Sequence, residues 1–238
     1  EVAADAGLKM LVPIHGHPFL AYVLHELAEA GFEEACLVVG PGADDPVRVA
    51  VEAMPIRRLR VSFAEQAEPL GSAHALLAAA PVGDGPVVVI NADNVYPSGP
   101  LRAARELDEP GLVGFDREAL VARSNVTPEQ VAAFALIEVR DGYMERIVEK
   151  PDPETARRMA SAPVSMTLWR FDPSIFDACR DIEPSPRGEL ELADAVDLAM
   201  ERGTRFRVVP TEAGVLDISR RSHIPTAERW LDGVAPRP

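Results

Sequence analysis

The sequence has little of what marks zinc-binding, secreted or membrane-spanning chains. Its two cysteines, Cys36 and Cys179, lie far apart, and no Cys-x-x-Cys or Cys/His cluster is present, so nothing points to a structural zinc site. No apolar run approaches the about 20 residues that cross a bilayer as a helix, and no signal peptide is visible. These absences predict a cytoplasmic globular protein.

Basic charge is also scarce. Lys and Arg number 24 against 38 Asp and Glu, which gives a net charge of −14. An acidic surface repels phosphate backbones and anionic lipid, so nucleic-acid binding and membrane-surface binding are disfavoured. A small phosphorylated substrate remains compatible with this charge, because a few Lys or Arg side chains or a Mg²⁺ ion reverse the field within a cleft. G-x-S-x-G, Walker and G-x-G-x-x-G patterns are missing.

What the sequence does contain, over its first 90 residues, is an alternation of helical and strand patterns. The segment 86–90 is the clearest buried strand, and strands that alternate with helices predict a parallel sheet with crossover helices. The predicted helices cover 18–30, 45–54 and 71–80, and the predicted strands cover 35–39, 59–63 and 86–90.

The second half predicts a more irregular arrangement. Asp141-Gly142 is a strong hairpin signal between two strand-like runs. The predicted strands cover 133–139, 143–149, 164–171 and 205–209, and the predicted helices cover 153–161, 173–180, 190–202 and 221–232.

Two carboxylates follow short apolar runs. Asp93 comes just after the buried strand at 86–90, and Asp217 comes after Gly214-Val215-Leu216. Ligands on parallel sheets bind beyond the carboxyl ends of the strands, where two carboxylates suit a hard cation such as Mg²⁺. The alternative is that both are ordinary turn residues.

Two lysines and one loop are further candidates. Lys9 and Lys150 each present a point charge suited to phosphate, although both are equally compatible with a solvated surface. Gly71 and Ser72 open a predicted helix, whose N-terminus attracts anions. The alternative for Ser72 is a plain helix cap.

Taken in order, six segments resemble the motifs of the sugar-1-phosphate nucleotidylyltransferases, such as the glucose-1-phosphate thymidylyl- and uridylyltransferases and the mannose-1-phosphate guanylyltransferases. The match runs in register over nearly the whole chain. The segments are 9–18 (Lys-Met-Leu-Val-Pro-Ile-His-Gly-His-Pro), 66–75 (Gln-Ala-Glu-Pro-Leu-Gly-Ser-Ala-His-Ala), 91–94 (Asn-Ala-Asp-Asn), 149–151 (Glu-Lys-Pro), 187–195 (Arg-Gly-Glu-Leu-Glu-Leu-Ala-Asp-Ala) and 215–218 (Val-Leu-Asp-Ile).

This resemblance implies a Rossmann-like, three-layer α/β core with a mixed sheet and a sugar-binding extension. It implies one domain over 1–238, with a nucleotide-binding half at 1–110 and a sugar-phosphate-binding half at 111–238. The implied partners are a nucleoside triphosphate (UTP, dTTP or GTP) and a sugar 1-phosphate, with Mg²⁺ as cofactor. The implied site residues are Lys9, Gln66, Gly71 and Ser72 for the nucleotide, Asp93 and Asp217 for Mg²⁺, and Asn94, Glu149, Lys150 and Thr167 for the sugar phosphate, with Lys9, Asp93, Lys150 and Asp217 as the catalytic set.

The sequence also departs from the family pattern. The opening strand and Gly-x-Gly-x-Arg loop are not seen before Lys9, so we expect roughly twenty or more residues upstream of residue 1 in the natural product. Thr167 stands where the family has a glycine, which narrows the sugar-facing wall. This predicts an acceptor other than ordinary glucose 1-phosphate, for example an unusual sugar or a cyclitol phosphate.

Two other functions stay open at this point. One is a non-catalytic paralogue that binds nucleotide or sugar phosphate as a regulatory or partner subunit. The other is a metal-dependent glycosyltransferase, but Asn91-Ala92-Asp93 lacks the first carboxylate of the usual Asp-x-Asp motif. The polar segment 115–130 is a candidate lid or homo-oligomer contact.

Overall fold

The structure is a computed structural model that describes residues 8–80, 83–132 and 134–238. The predicted start of a strand at residue 133, and the expectation about residues upstream of residue 1, lie outside that part. The strands are β1 (Pro13–Ile14), β2 (His17–Pro18), β3 (Glu34–Val39), β4 (Arg60–Glu65), β5 (Val87–Val89), β6 (Asn94–Val95), β7 (Gly111–Phe115), β8 (Leu136–Arg140), β9 (Tyr143–Val148), β10 (Val164–Phe171), β11 (Arg207–Thr211) and β12 (Leu216–Asp217). The helices are α1 (Phe19–Glu29), α2 (Pro46–Glu52), α3 (Ser72–Ala79), α4 (Ser98–Glu106), α5 (Arg117–Arg123), α6 (Pro128–Ala132), α7 (Pro153–Arg158), α8 (Ile175–Asp181), α9 (Leu192–Glu201) and α10 (Ile224–Trp230).

Six strands form a mixed sheet in the order β5-β10-β7-β11-β9-β8. β11 runs parallel to β7, from Arg207 opposite Gly111 to Thr211 opposite Phe115, whereas β10 runs antiparallel to both β5 and β7. The predicted α/β fold with a mixed sheet is therefore confirmed. Because β5, β7 and β11 point the same way, their carboxyl ends share one edge, and this is the edge where such sheets bind ligands.

β3 and β4 form a separate parallel pair, in register from Glu34 opposite Arg60 to Val39 opposite Glu65. This pair, with α2 between its strands, is the strand-helix-strand unit that the sequence predicts. The third strand of that series departs from the prediction, because within the described residues β5 pairs with β10 and not with this pair. The valines of β5 are half-buried, although the sequence predicts a buried strand there.

Helix α1 shows how the apolar spacing becomes packing. Leu20, Val23 and Leu24 recur at helical spacing and are all buried, and each such side chain contributes about 1.5–3 kcal/mol when removed from water. Gly31 follows the helix with φ +85°, a left-handed conformation that glycine adopts without steric cost and that commonly ends helices. The helix therefore begins and ends close to its predicted limits.

Strand β7 is buried along its whole length, yet the sequence does not predict it. Its run of apolar residues is interrupted by Gly111 and Gly114, which weaken a strand signal. The structure gives these glycines a packing reason, since a Cβ at Gly111 would lie 2.5 Å from the Arg207 carbonyl oxygen and one at Gly114 would lie 2.9 Å from a methyl group of Val208. Close approach between β7 and β11 thus requires residues that look like strand breakers.

Within the described residues, no helix combines the length and the apolar character needed to cross a membrane.

Candidate active site

A two-residue ladder brings the two predicted metal ligands together. β6 and β12 pair antiparallel, with Asp217 opposite Asn94, and the Ile218 N–H donates to the Asp93 carbonyl oxygen over 3.1 Å. Asp93 and Asp217 are therefore neighbours beyond the carboxyl end of β5, although they lie far apart in the sequence.

The surroundings of Asp93 disfavour its charged form. Burial raises the pKa of Asp93 above its ordinary value, the neighbouring Asp217 raises the pKa further, and Lys9 opposes both. Lys9 lies in a 3₁₀ helix at Lys9–Leu11, within electrostatic reach of Asp93. The structure thus gathers these three predicted residues into one group, which we call the carboxylate centre.

Asn94 connects this centre to the sheet. It is only 3% exposed, and its amide lies 3.1 Å from the Tyr96 hydroxyl. With its nitrogen turned toward Asp217, the amide donates to Asp217 Oδ2 over 3.1 Å and to the Asp93 carbonyl oxygen over 3.2 Å. Asn94 therefore orients both carboxylate residues, and its predicted contact with the sugar phosphate stays a prediction.

Tyr96 carries the connection on to Thr167. Its fully buried hydroxyl contacts the Met166 carbonyl oxygen and lies 3.5 Å from that of Thr167, and burial raises the pKa of Tyr96. Thr167 has φ +58°, at an irregularity in β10 between Ser165 and Trp169. A β-branched residue rarely adopts this left-handed conformation, and such strain is concentrated at functional sites.

The end of β9 brings Glu149 and Lys150 toward the same strand. Leu136 pairs with both Val148 and Val164, so the chain leaves β9 next to the start of β10. Lys150 has φ +43°, a second left-handed conformation at a predicted site residue. Burial raises the pKa of Glu149, and nearby Lys150 opposes that shift.

Arg187 and Glu191 complete this second group. Arg187 Nη2 lies 2.7 Å from Glu191 Oε1, Glu191 raises the pKa of Glu149, and Arg187 lowers it. The sequence motif at 187–195 signals both residues, but it assigns neither of them a role. We call Glu149, Lys150, Thr167, Arg187 and Glu191 the acceptor side.

The predicted nucleotide-binding loop packs against the acceptor side. Gln66 Nε2 donates to the Gly71 carbonyl oxygen over 3.1 Å and lies 3.0 Å from His74 Nδ1. The Leu190 N–H in turn donates to the Leu70 carbonyl oxygen over 2.7 Å. The loop is thereby fastened next to the segment that carries Arg187 and Glu191.

Gly71 and Ser72 have visible structural roles there. Gly71 has φ +109°, and a Cβ on it would lie 2.4 Å from the Leu190 carbonyl oxygen. Ser72 Oγ accepts from the Leu192 N–H over 2.9 Å, so Ser72 caps α9 and makes no side-chain cap to its own helix α3. Nucleotide contact by Gln66, Gly71 and Ser72 stays a prediction.

The carboxylate centre has the chemistry expected of a magnesium site. Oxygen ligands suit Mg²⁺, which is commonly held by one or two carboxylates and completes its shell with water and substrate phosphates. A divalent cation would favour the charged form of Asp93, which burial and Asp217 disfavour. Among the described residues, no group of three or more His, Cys, Asp or Glu side chains is placed to hold a metal.

Two neighbours of Asp217 carry no sequence signal. Asn125 makes two hydrogen bonds to the Asp217 backbone, and His223 Nδ1 lies 3.3 Å from Asp217 Oδ1 with its side chain 11% exposed. Neither belongs to a recognisable motif, because their contacts depend on tertiary structure.

Comparisons with known proteins find one family model and several relatives that match most of the chain. The family model described as nucleotidyl transferase matches residues 5–232. A low-salt glycan biosynthesis nucleotidyltransferase of Haloferax volcanii is 30% identical over 202 residues, which cover 83% of this chain and 52% of that protein. The bifunctional protein GlmU of Pelotomaculum thermopropionicum is 31% identical, over 94% of this chain and 48% of its own length. The chain thus spans about half the length of these two relatives.

Solved structures share the fold at low identity. A UDP-glucose pyrophosphorylase complexed with UDP-glucose aligns with a TM-score of 0.71 and 21% identity, over 93% of this chain and 89% of its own. A putative glucose-1-phosphate thymidylyltransferase from Bacillus anthracis aligns with a TM-score of 0.73 and 17% identity, over 95% of this chain and 87% of its own.

Proposed function

The chain belongs to the nucleotidyl transferase family, as its motifs predict, and on this premise we propose that it joins a sugar 1-phosphate to a nucleoside triphosphate. The products are a nucleoside diphosphate sugar and pyrophosphate. The observation that carries the proposal is the meeting of Asp93, Asp217 and Lys9 in the carboxylate centre. Relatives named for uridylyl and thymidylyl transfer to glucose 1-phosphate support the reaction class.

In this reaction, a phosphate oxygen of the sugar phosphate attacks the α-phosphorus of the nucleotide. The new P–O bond forms as the bond to the β-phosphate breaks, and pyrophosphate carries away the bonding electrons. No protein nucleophile takes part, so catalysis rests on alignment of the two phosphates and neutralisation of their charge. The carboxylate centre and the two cations of the acceptor side suit these tasks.

Asp93 and Asp217 would hold Mg²⁺, which when bound neutralises phosphate oxygens of the nucleotide. Lys9 supplies a further positive charge beside the carboxylates, where it would bind the triphosphate. Asn94 keeps Asp217 in place through its amide. These residues act on phosphate groups, which UTP, dTTP and GTP share, so the base is selected elsewhere.

The acceptor side would bind the sugar phosphate. Lys150 and Arg187 supply positive charge near Glu149, so a phosphate could bind the cations while Glu149 accepts from a sugar hydroxyl. Thr167 places a branched side chain on this wall, which favours a sugar or cyclitol phosphate that differs from glucose 1-phosphate.

The test is pyrophosphate release from the full natural protein with Mg²⁺, a panel of nucleoside triphosphates and a panel of sugar and cyclitol phosphates. We expect release with a particular pair, and a loss of at least about 100-fold in kcat/KM for both Asp93→Ala and Asp217→Ala. Asp108→Ala, which removes an exposed carboxylate, serves as the matched control.

Full activity in both centre variants would refute the proposed roles. Absence of release with every pair, while nucleotide still binds, would favour the non-catalytic paralogue.

A further inference from the structure

The segment that carries Asp217 is held by side chains more than by strand pairing. The segment 212–217 follows β11 and ends with the two-residue strand β12, which pairs only with β6 among the described strands. The backbone of this segment lies against the end of α5 and the residues that follow it. Three consecutive side chains, those of Arg123, Ser124 and Asn125, make hydrogen bonds to this backbone, and we call these residues the clamp.

The clamp binds the segment at three successive points. Arg123 Nη1 donates to the Glu212 carbonyl oxygen over 3.0 Å, and Ser124 Oγ accepts from the Val215 N–H over 2.8 Å. Residues 212–215 lie between β11 and β12 and have no ladder partners among the described strands, so these backbone groups would otherwise be unpaired.

Gly214 shows how close the two chains approach. A Cβ on Gly214 would lie 1.9 Å from the Arg123 carbonyl oxygen and 2.5 Å from its carbonyl carbon. Gly214 is not among the residues with positive φ, so glycine is needed here for space. The backbones of the clamp and of the segment can therefore approach this closely only with a glycine at position 214.

Asn125 is the member of the clamp that acts on Asp217 itself. Its Oδ1 accepts from the Asp217 N–H over 2.9 Å, and its Nδ2 donates to the Asp217 carbonyl oxygen over 2.5 Å. One amide thus fixes the peptide groups on both sides of the Asp217 Cα, which sets the direction of the Cα–Cβ bond. Asn94 lies opposite Asp217 across the ladder.

Fixing the Asp217 backbone by hydrogen bonds has a physical purpose at this site. Asp217 lies beside Asp93 at the β6–β12 ladder, and two carboxylates of like charge repel each other, so a loosely held Asp217 would turn away from Asp93 when no cation is present. A cation site binds more tightly when its ligands are already fixed in place by a surrounding shell of hydrogen bonds.

We propose that Asn125 is a positioning residue, and that the clamp holds Asp217 in the orientation in which it binds a divalent cation together with Asp93. This inference rests on the proposed function, in which that cation neutralises the nucleotide phosphates. It also gives part of the segment 115–130 an internal role. His223 Nδ1 also lies 2.9 Å from the Asp217 carbonyl oxygen and 3.3 Å from its Oδ1, and His223 is left unchanged in the test below.

The test measures Mn²⁺ binding to the metal-free, full-length protein in the absence of nucleotide. Electron paramagnetic resonance of the free ion gives the concentration of unbound Mn²⁺. We expect Asn125→Ala to weaken Mn²⁺ binding by about 10- to 100-fold, the usual effect of removing a group that orients a metal ligand. Ser124→Ala, which acts two residues from Asp217, should weaken it less. Gln130→Ala is the control. Gln130 lies in the same segment 115–130, where its amide oxygen accepts from the Thr127 N–H, so this variant should bind Mn²⁺ as the wild type does.

A second readout separates positioning from general destabilisation. Excess Mg²⁺ should restore pyrophosphate release in Asn125→Ala, with the KM for the sugar phosphate unchanged. If Asn125→Ala does not fold, Asn125→Asp keeps the acceptor for the Asp217 N–H, loses the donor, and is expected to weaken Mn²⁺ binding as well.

Wild-type Mn²⁺ affinity in the folded Asn125 variant would overturn the clamp and leave the proposed function intact. If the wild type releases no pyrophosphate, the proposed function fails, and Mn²⁺ affinity still decides the role of Asn125.

Discussion

The carboxylate centre and the acceptor side both place negative charge in partly buried surroundings, but they hold it differently. At the centre, Asp217 is fixed by Asn125 on one side and by the β6 ladder on the other. On the acceptor side, Lys150 and Thr167 have left-handed backbone conformations, and the Arg187 side chain of the pair with Glu191 is 55% exposed.

This difference fits a division of work. Phosphate chemistry is the same for every substrate of such an enzyme, so its ligands gain from a rigid frame. Recognition of a particular acceptor depends on a few contacts that change between enzymes. A strained backbone and an exposed ion pair can be altered at small cost, whereas a clamped carboxylate cannot. Each test variant below perturbs the acceptor side or the loop that packs against it, and leaves the centre as the internal reference.

The largest expected effect is that of Gly71→Ala. Its Cβ would lie 2.4 Å from the Leu190 carbonyl oxygen at φ +109°, so the loop must separate from the segment that carries Arg187 and Glu191. We expect the free energy of unfolding in urea to fall by about 2–4 kcal/mol, within the range of severe backbone substitutions. Mn²⁺ affinity of the folded fraction should not change.

Gly99→Ala is the matched control, because a Cβ there meets nothing within 4 Å and an alanine within a helix is stabilising by up to about 1 kcal/mol. Equal stabilities for the two variants, or weaker Mn²⁺ binding by Gly71→Ala, would erase the distinction between the two regions.

A smaller effect is expected at Thr167. Thr167→Gly removes the branched side chain and accommodates φ +58° without strain. We expect kcat/KM for glucose 1-phosphate to rise by about tenfold relative to the natural acceptor, which is the scale of one or two methyl groups in a pocket. Steady-state pyrophosphate release with both acceptors measures the ratio. Thr167→Ala separates the effect of side-chain size from that of backbone strain, since it shortens the side chain and keeps the unfavourable φ.

If Thr167→Gly leaves the acceptor ratio unchanged, Thr167 does not line the acceptor site, and its conformation serves the bulge in β10 alone.

These experiments bear on what the sequence could predict. Apolar patterns located α1 and the β3–β4 unit, because local periodicity reports which face is buried, and the Asp141-Gly142 turn signal located the hairpin of β8 and β9. Apolar periodicity did not predict β7. Gly111 and Gly114 permit close contact between β7 and β11, but they weaken the strand pattern in the sequence.

The site shows the same limit. Motif order singled out Asp93 and Asp217, but their convergence depends on a ladder of two residues, which is too short to leave a pattern. Asn125, Tyr96 and His223 act through contacts that tertiary structure alone creates. The sequence therefore identifies candidate ligands, and the fold identifies the residues that hold them.

The smallest expected effect is the pH dependence that Glu149 confers on stability. Burial and the neighbouring Glu191 raise the pKa of Glu149 above its ordinary value of 4.5, so the folded state binds more protons than the unfolded state at pH values between the two pKa values. The contribution of Glu149 to the free energy of unfolding is therefore most favourable below pH 4.5 and declines as the pH rises through the raised, folded-state pKa.

Glu149→Gln should flatten this decline in urea unfolding measured from pH 4.5 to neutrality, whereas Glu118→Gln, at an exposed position of α5, should not. Asp93 contributes a decline of the same sign, which both variants retain, so the difference between them isolates Glu149. A decline as steep in Glu149→Gln as in the wild type would mean that Glu149 does not contribute to it. The acceptor side would then differ from the centre in electrostatics as well as in rigidity.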